Sequence, residues 1–239
     1  AGVGGGGEYV EDVFSTYLYT GNGSTQTITN GIDLDGEGGL VWGKMRSDGG
    51  NNFLQDTVRG TGQSLCTNNT DGNNPVTNTY INAFNSNGFT LGSNSTVNGS
   101  AYTFASWTFR KAPKFFDVVT YTGDGTSSRQ IAHDLGSTPG FIAIKRTDTN
   151  SDWLTSFYAG ETFIGRARLN STDAFNETAT YFNGYIAAPH NADTFGTEAY
   201  SGNVSAVNAT GGTYVAYLFA SNAGGFGDDG EQNVISCGS

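Results

Sequence analysis

Along the whole chain, short stretches of alternating apolar and polar residues are separated by glycine-containing turns. From Gly39 to Arg46, Leu40 and Trp42 fall on one face of an extended segment, and Val41 and Met45 on the other. Phe141 to Arg146 is apolar on both faces until Lys145-Arg146, as in a strand lying inside a sheet or between layers. Thr103 to Phe109 places Ala105, Trp107 and Phe109 on one face, and Thr213 to Phe219 places Val215, Tyr217 and Phe219 likewise. Turn signals (Thr-Gly-Asn-Gly23, Asn-Gly31, Asp-Gly-Gly50, Asp-Gly72, Asn-Gly88, Asn-Gly99, Asn-Gly184) punctuate these segments. No apolar pattern at helical spacing lasts three turns. Many short strands with this punctuation predict an all-β sandwich, with a jelly-roll or lectin-like arrangement as first choice.

The segments also occur twice. Tyr19-Thr-Gly-Asn-Gly returns 102 positions later as Tyr121-Thr-Gly-Asp-Gly. Asp33-Leu34 and Gly39-Leu-Val-Trp-Gly-Lys44 return at an offset of 101 as Asp134-Leu135 and Gly140-Phe-Ile-Ala-Ile-Lys145. Thr103-Phe-Ala-Ser-Trp-Thr-Phe109 returns at an offset of 110 as Thr213-Tyr-Val-Ala-Tyr-Leu-Phe219. Such a period exceeds the roughly 20–50 residues of solenoid units and has the size of a small domain. The expected organisation is two tandem β-sandwich domains, 13–115 and 116–222. A glycine-rich linker, 1–12, precedes them and a second linker, 223–239, follows. Lys111-Ala-Pro113-Lys is the expected hinge, with Pro113 ending the preceding strand. Asp12-Val-Phe-Ser15 is echoed by Asn233-Val-Ile-Ser236, which points to a piece of a longer repeat protein.

Composition narrows the function. The net charge is −11, and the 11 Lys and Arg are scattered, so no basic stripe is available to displace the counterions of nucleic acid. Anionic membrane surfaces are disfavoured for the same reason, and no apolar run is long enough to span a bilayer. Cys66 has no counterpart in the second repeat and Cys237 lies in the terminal segment, so both are expected as free thiols. The only histidines, His133 and His190, lie in different contexts without a partner at metal or acid–base spacing.

His133-Asp-Leu-Gly-Ser-Thr-Pro139-Gly-Phe-Ile-Ala-Ile-Lys145-Arg, with Ser151-Asp-Trp153 after it, resembles a segment of tail-fibre and other appendage proteins of tailed bacteriophages. The Tyr-Thr-Gly-Asn-Gly opening and the Phe-Ala-Ser-Asn-Ala-Gly-Gly-Phe-Gly-Asp-Asp-Gly230 stretch look like tandem domains of large structural proteins of marine phages. The resemblance covers nearly the whole chain, although the first repeat has Ile32 in place of the histidine and lacks a proline matching Pro139. It implies a non-enzymatic component on the virion exterior, made in the host cytoplasm. Its partners would be other virion proteins, further copies of itself and host-surface glycans.

Three further readings remain open. Asp33, Asp35 and Glu37, and separately Asp228, Asp229 and Glu231, could offer hard oxygen ligands to Ca²⁺; solvated turns in an acidic protein are the alternative. Trp153, Tyr158, Tyr181 and Tyr185, with Phe182 and with Phe53, Tyr80 and Phe84 in the first repeat, could stack on sugar rings if exposed. A carbohydrate-binding module is therefore the alternative function. A glycan-degrading enzyme would need two carboxylates about 5–10 Å apart in a cleft, and Glu161, Glu177 and Glu198 are the candidates. Lys44 and Lys145 are expected to pair with Asp33 and Asp134.

Overall fold

In the computed structural model, residues 8–75, 79–177, 184–187 and 190–237 are described. The glycine-rich turns and β-branched and aromatic segments yield strands throughout, and the ladders are antiparallel. The first half contains β1 (Phe14–Thr20), β2 (Gln26–Thr29), β3 (Gly39–Met45), β4 (Phe53–Asp56), β5 (Gln63–Ser64), β6 (Asn74–Pro75), β7 (Ile81–Asn85), β8 (Gly88–Leu91) and β9 (Thr103–Arg110). The second contains β10 (Phe116–Thr122), β11 (Ser128–Ala132), β12 (Pro139–Arg146), β13 (Trp153–Ala159), β14 (Thr162–Arg168), β15 (Tyr185–Ala187), β16 (Thr194–Glu198) and β17 (Thr213–Ala220). Single helical turns, α1 (Val10–Val13) and α2 (Ser95–Asn98), complete the set.

The strand order repeats with the sequence. A four-stranded sheet, β1-β9-β3-β4, and a three-stranded sheet, β2-β8-β7, form the first half. The second half has β10-β17-β12-β13-β14 and β11-β16-β15. In each half the first strand pairs with the last and the second with the last but one. This nesting brings the two ends of each repeat together.

The recurring Tyr-Thr-Gly-Asn/Asp-Gly motif supports that closure in the same way twice. The Tyr19 hydroxyl donates to the Val97 carbonyl at 2.8 Å, and the Tyr121 hydroxyl to the Val207 carbonyl at 2.7 Å. Asn98 and Asn208, both buried, clamp the loop that follows: their side-chain oxygens accept from the amides of Asn22 and Asp124. A Cβ on Gly21 would stand 2.2 Å from the Gly99 carbonyl oxygen, and one on Gly123 2.1 Å from that of Ala209. Backbone approaches backbone there, and only glycine fits.

Three cores follow from the alternation of side chains. Val41, Met45, Phe53, Phe89, Leu91 and Phe104 pack between the two sheets of the first half. Ile142, Ile144, Leu154, Phe195, Ala216 and Leu218 do the same in the second. The third core lies between the halves: Leu40, Leu54 and Leu65 from the first pack with Phe116, Val118, Ala143, Trp153, Val215 and Tyr217 from the second. Four sheets are thus stacked, and the two large ones meet in the middle.

The 111–114 segment is not a hinge. Ala112 is buried, Ala112 and Phe116 exchange both backbone hydrogen bonds, and the Lys114 amide donates to the Leu135 carbonyl. Pro113 does separate β9 from β10, but burial of Phe115 and Phe116 in the central core ties the connection down. Residues 223–237, read from sequence as a linker, return to the body. Phe226 enters the central core, and the Asn222 amide donates to the Ile235 carbonyl. Both cysteines are free.

Candidate functional site

The inward faces of the two large sheets are the place to compare the repeats, because the register aligns them row by row. In the first half the rows are Phe14–Phe109–Leu40–Asp56, then Thr16–Trp107–Trp42–Leu54, then Leu18–Ala105–Lys44. In the second they are Phe116–Phe219–Phe141–Phe157, then Val118–Tyr217–Ala143–Thr155, then Thr120–Val215–Lys145–Trp153.

In the second half, rows two and three are largely covered by the loop following β4, residues 57–73. Tyr217 donates to Asp56 at 2.8 Å, and Arg59 lies 2.6 Å from Asp56 and 3.1 Å from the Tyr217 hydroxyl. Burial pushes the Tyr217 hydroxyl pKa well above its ordinary value. Trp153 Nε1 donates to the Cys66 carbonyl, and Lys145 Nζ to the Thr70 carbonyl, each at 2.8 Å. Lys145 also donates to the Ser151 carbonyl, and burial lowers its pKa to about 8.

In the first half the equivalent rows are only partly covered: Leu54 and Ala105 are buried, Trp42, Lys44 and Trp107 half-buried, and Thr16 and Leu18 exposed. Trp42 and Trp107 form a cross-strand pair with ring centroids 5.8 Å apart and planes tilted by 56°. With Lys44, Asn52 and Phe109 they line a cleft of about 420 Å³. Leu18 in row three is 59% exposed. Trp42 Nε1 has no hydrogen-bond partner, and Lys44 donates to the Gly50 carbonyl at 2.5 Å. A second groove, of about 400 Å³, runs beside row one of the second half along Phe141, Phe157, Phe219, Ile235 and Cys237.

The residues singled out from sequence are placed differently. Trp153 and Tyr158 are each 1% exposed and present no ring face to a ligand, because one fills the central core and the other the outer core of the second half. The Tyr158 hydroxyl donates to the Ile186 carbonyl at 2.9 Å. Tyr185 is half-buried, donates to Glu198 at 2.6 Å, and has the Arg166 guanidinium 5.0 Å from its ring centroid. Tyr181 and Phe182 lie outside the described residues. Phe53 is buried, with Tyr80 and Phe84 packed on the same core.

Among the described residues, no three His, Cys, Asp or Glu side chains gather as metal ligands would. Asp33 accepts from the Gly36 amide, Glu37 is 3.9 Å from Arg110, and Asp35 is exposed. Asp228 accepts from the Tyr9 hydroxyl and Asp229 from the Glu231 amide. Asp33 and Asp229 cap their own turns, while Glu37 and Asp228 reach distant partners, Arg110 and Tyr9. Glu161 and Glu177 are exposed, and Glu198 holds Tyr185. Lys44 and Lys145 do not pair with Asp33 and Asp134. Both donate instead to the carbonyl six residues ahead, closing the turn after β3 and after β12, which explains their recurrence.

The Trp42–Trp107 pair was not singled out from sequence because both residues read as ordinary strand aromatics. The signal lay in the repeat itself: the offset of 101 sets Ala143 opposite Trp42, so the fold does not require an indole there. Asn98 and Asn208 share the offset of 110 that relates the closing strands, and that recurrence is their signal in the sequence.

The family model described as Domain of unknown function (DUF7483) matches residues 10–230 in one span. The chain belongs to this family. That match embraces both halves and the central core between them. Neither the curated proteins nor the solved structures contain a match to the chain. No helix among the described residues is long and apolar enough to cross a membrane.

Proposed function

We propose that this DUF7483 chain is a non-enzymatic structural protein of a tailed-phage particle. It would be made in the host cytoplasm and carried on the virion exterior in a tail fibre, head fibre or decoration-type appendage. It is built, in this reading, from two tandem β-sandwich domains of jelly-roll type. The observation that supports it is the central core, which joins the two repeats face to face through the Asp56–Arg59–Tyr217 network and the Trp153 and Lys145 contacts. An element that sets spacing or bears load gains from such rigidity, whereas independently swinging beads would not hold a position. Other virion proteins and further copies of the chain are the partners this reading requires.

Gold-labelled antibody raised against the chain is expected to decorate an appendage of intact phage particles in the electron microscope. Particles that carry none of the protein would overturn the proposal. A second reading, a carbohydrate-binding module, is favoured by the half-exposed Trp42–Trp107 pair, since indoles stack on the C–H faces of sugars. A glycan array probed with the purified chain decides it.

A further inference from the structure

The Lys44 ammonium has a counterpart inside the same molecule that shows what it can still bind. In the second half, Lys145 donates twice at once: to the Ser151 carbonyl of its own turn and to the Thr70 carbonyl of the covering loop. Lys44 stands 101 positions earlier at the equivalent place on β3, and among the described residues its one acceptor is the Gly50 carbonyl of its own turn. An ammonium carries three N–H donors. The bond that Lys145 gives to Thr70 therefore corresponds to a donor on Lys44 that an outside oxygen is able to take.

The walls beside that donor narrow the ligand. Trp42 and Trp107, both half-buried, form a tilted cross-strand pair, and with Phe109 they make the apolar side of the cleft of about 420 Å³. Lys44 and Asn52 make its polar edge. Asn52 is held in place: its Nδ2 donates to Thr67 Oγ1 at 2.9 Å, and its backbone amide to the Asn68 side-chain oxygen at 3.0 Å. Aromatic walls with a few fixed polar groups at one edge match a pyranose ring, which is apolar across its C–H faces and polar around its rim. A purely apolar ligand would strip water from the Lys44 ammonium and give it no acceptor in return.

Charge narrows the ligand further. The protein has 22 Asp and Glu against 11 Lys and Arg, yet the cleft is lined by one cation, Lys44, and by no carboxylate. A net charge of −11 opposes a long polyanion, and screening over about 8 Å confines the attraction to the local pair. We propose that the Trp42–Trp107 cleft binds an acidic sugar, a hexuronate residue, with its ring against the indoles and its carboxylate on the Lys44 ammonium. This deepens the carbohydrate-binding reading and rests on it, adding the charge of the ligand and the residue that reads it.

The test is calorimetric titration of the purified chain with trimers of galacturonate, glucuronate and mannuronate, each beside its methyl ester. The ester keeps the ring and removes the charge. One of the acids is expected to bind and to perturb the tryptophan emission, and its ester to bind about tenfold more weakly, as loss of a charge-assisted hydrogen bond entails. Salt at about 0.5 M should narrow that gap. Lys44→Gln should bring the acid down to the affinity of its ester, and Trp107→Ala should abolish binding of both, each with unchanged far-ultraviolet circular dichroism. The comparison of acid with ester uses the unaltered chain and stands whatever the variants do.

Equal affinity for acid and ester overturns the inference and leaves the sugar reading standing. So does a chain that ignores all three acids while binding a neutral glycan on the array. Acid binding that a folded Trp107→Ala or Lys44→Gln variant retains in full overturns it too, since the site then lies elsewhere. Silence towards acids, esters and every arrayed glycan sinks the inference and the carbohydrate-binding reading together.

Discussion

His190 is fully buried, accepts from the Gly196 amide through Nδ1, and has its ring centroid 4.2 Å from that of Tyr158. Its Nε2 has no partner. Desolvation, with a smaller contribution from nearby His133, lowers its pKa to about 4 from the ordinary 6.5. The folded-state value lies below the unfolded one, so the neutral ring's contribution is complete above pH 6.5 and is lost as pH falls from 6.5 towards 4. The loss amounts to about 3 kcal/mol. Asp124 and Asp148, held at about 2 chiefly by hydrogen bonds from Thr126 and from Arg146, act in a lower window, between 3.8 and 2. Urea denaturation at a series of pH values should therefore show a first decline between pH 6.5 and 4, which His190→Leu flattens. An unchanged decline in that variant would assign it elsewhere. Sequence showed that His133 and His190 had no partner at catalytic spacing, but not that both are buried within interaction range of each other. Their proximity depends on long-range packing that no local spacing encodes.

At the level of elements, the loop between β4 and β7 decides how the halves meet. Asp56 is 0% exposed and the Arg59 side chain 5%, so each is the other's compensation in a poorly solvated place. Asp56→Ala would leave the guanidinium buried with only Asn73 and the Tyr217 hydroxyl, a change that typically costs about 3–5 kcal/mol. Tyr217→Phe should cost less, about 1–2 kcal/mol, because the ion pair survives. Chemical denaturation of the two variants should reproduce that order, and equal costs would show that the Tyr217 hydroxyl, which alone in this network reaches from the other half, dominates its contribution. The strands themselves were legible from alternation: Leu40 and Trp42 do face away from Val41 and Met45, and Val215, Tyr217 and Phe219 do share a face. What each face would meet was not legible. Trp153 could serve as a sugar platform only if exposed, and it is buried in the central core with its N–H donated to the carbonyl of Cys66, 87 residues away.

For the whole molecule, the central core makes both halves one folding unit. Calorimetry should give a single transition whose calorimetric and van't Hoff enthalpies agree, and two resolved transitions would contradict the shared core. From its own pattern the sequence determined the strand-rich class, the doubled motif and the two closing tyrosines. These depend on side-chain alternation, turn residues and recurrence, all of which are local. Only the tertiary structure decided that the repeats pack face to face, that the 111–114 connection is clamped, and that the Trp42–Trp107 pair stays half-exposed while the equivalent Ala143–Tyr217 pair is covered. Those outcomes follow from which face finds a complementary surface, and that depends on residues brought together from opposite ends of the chain.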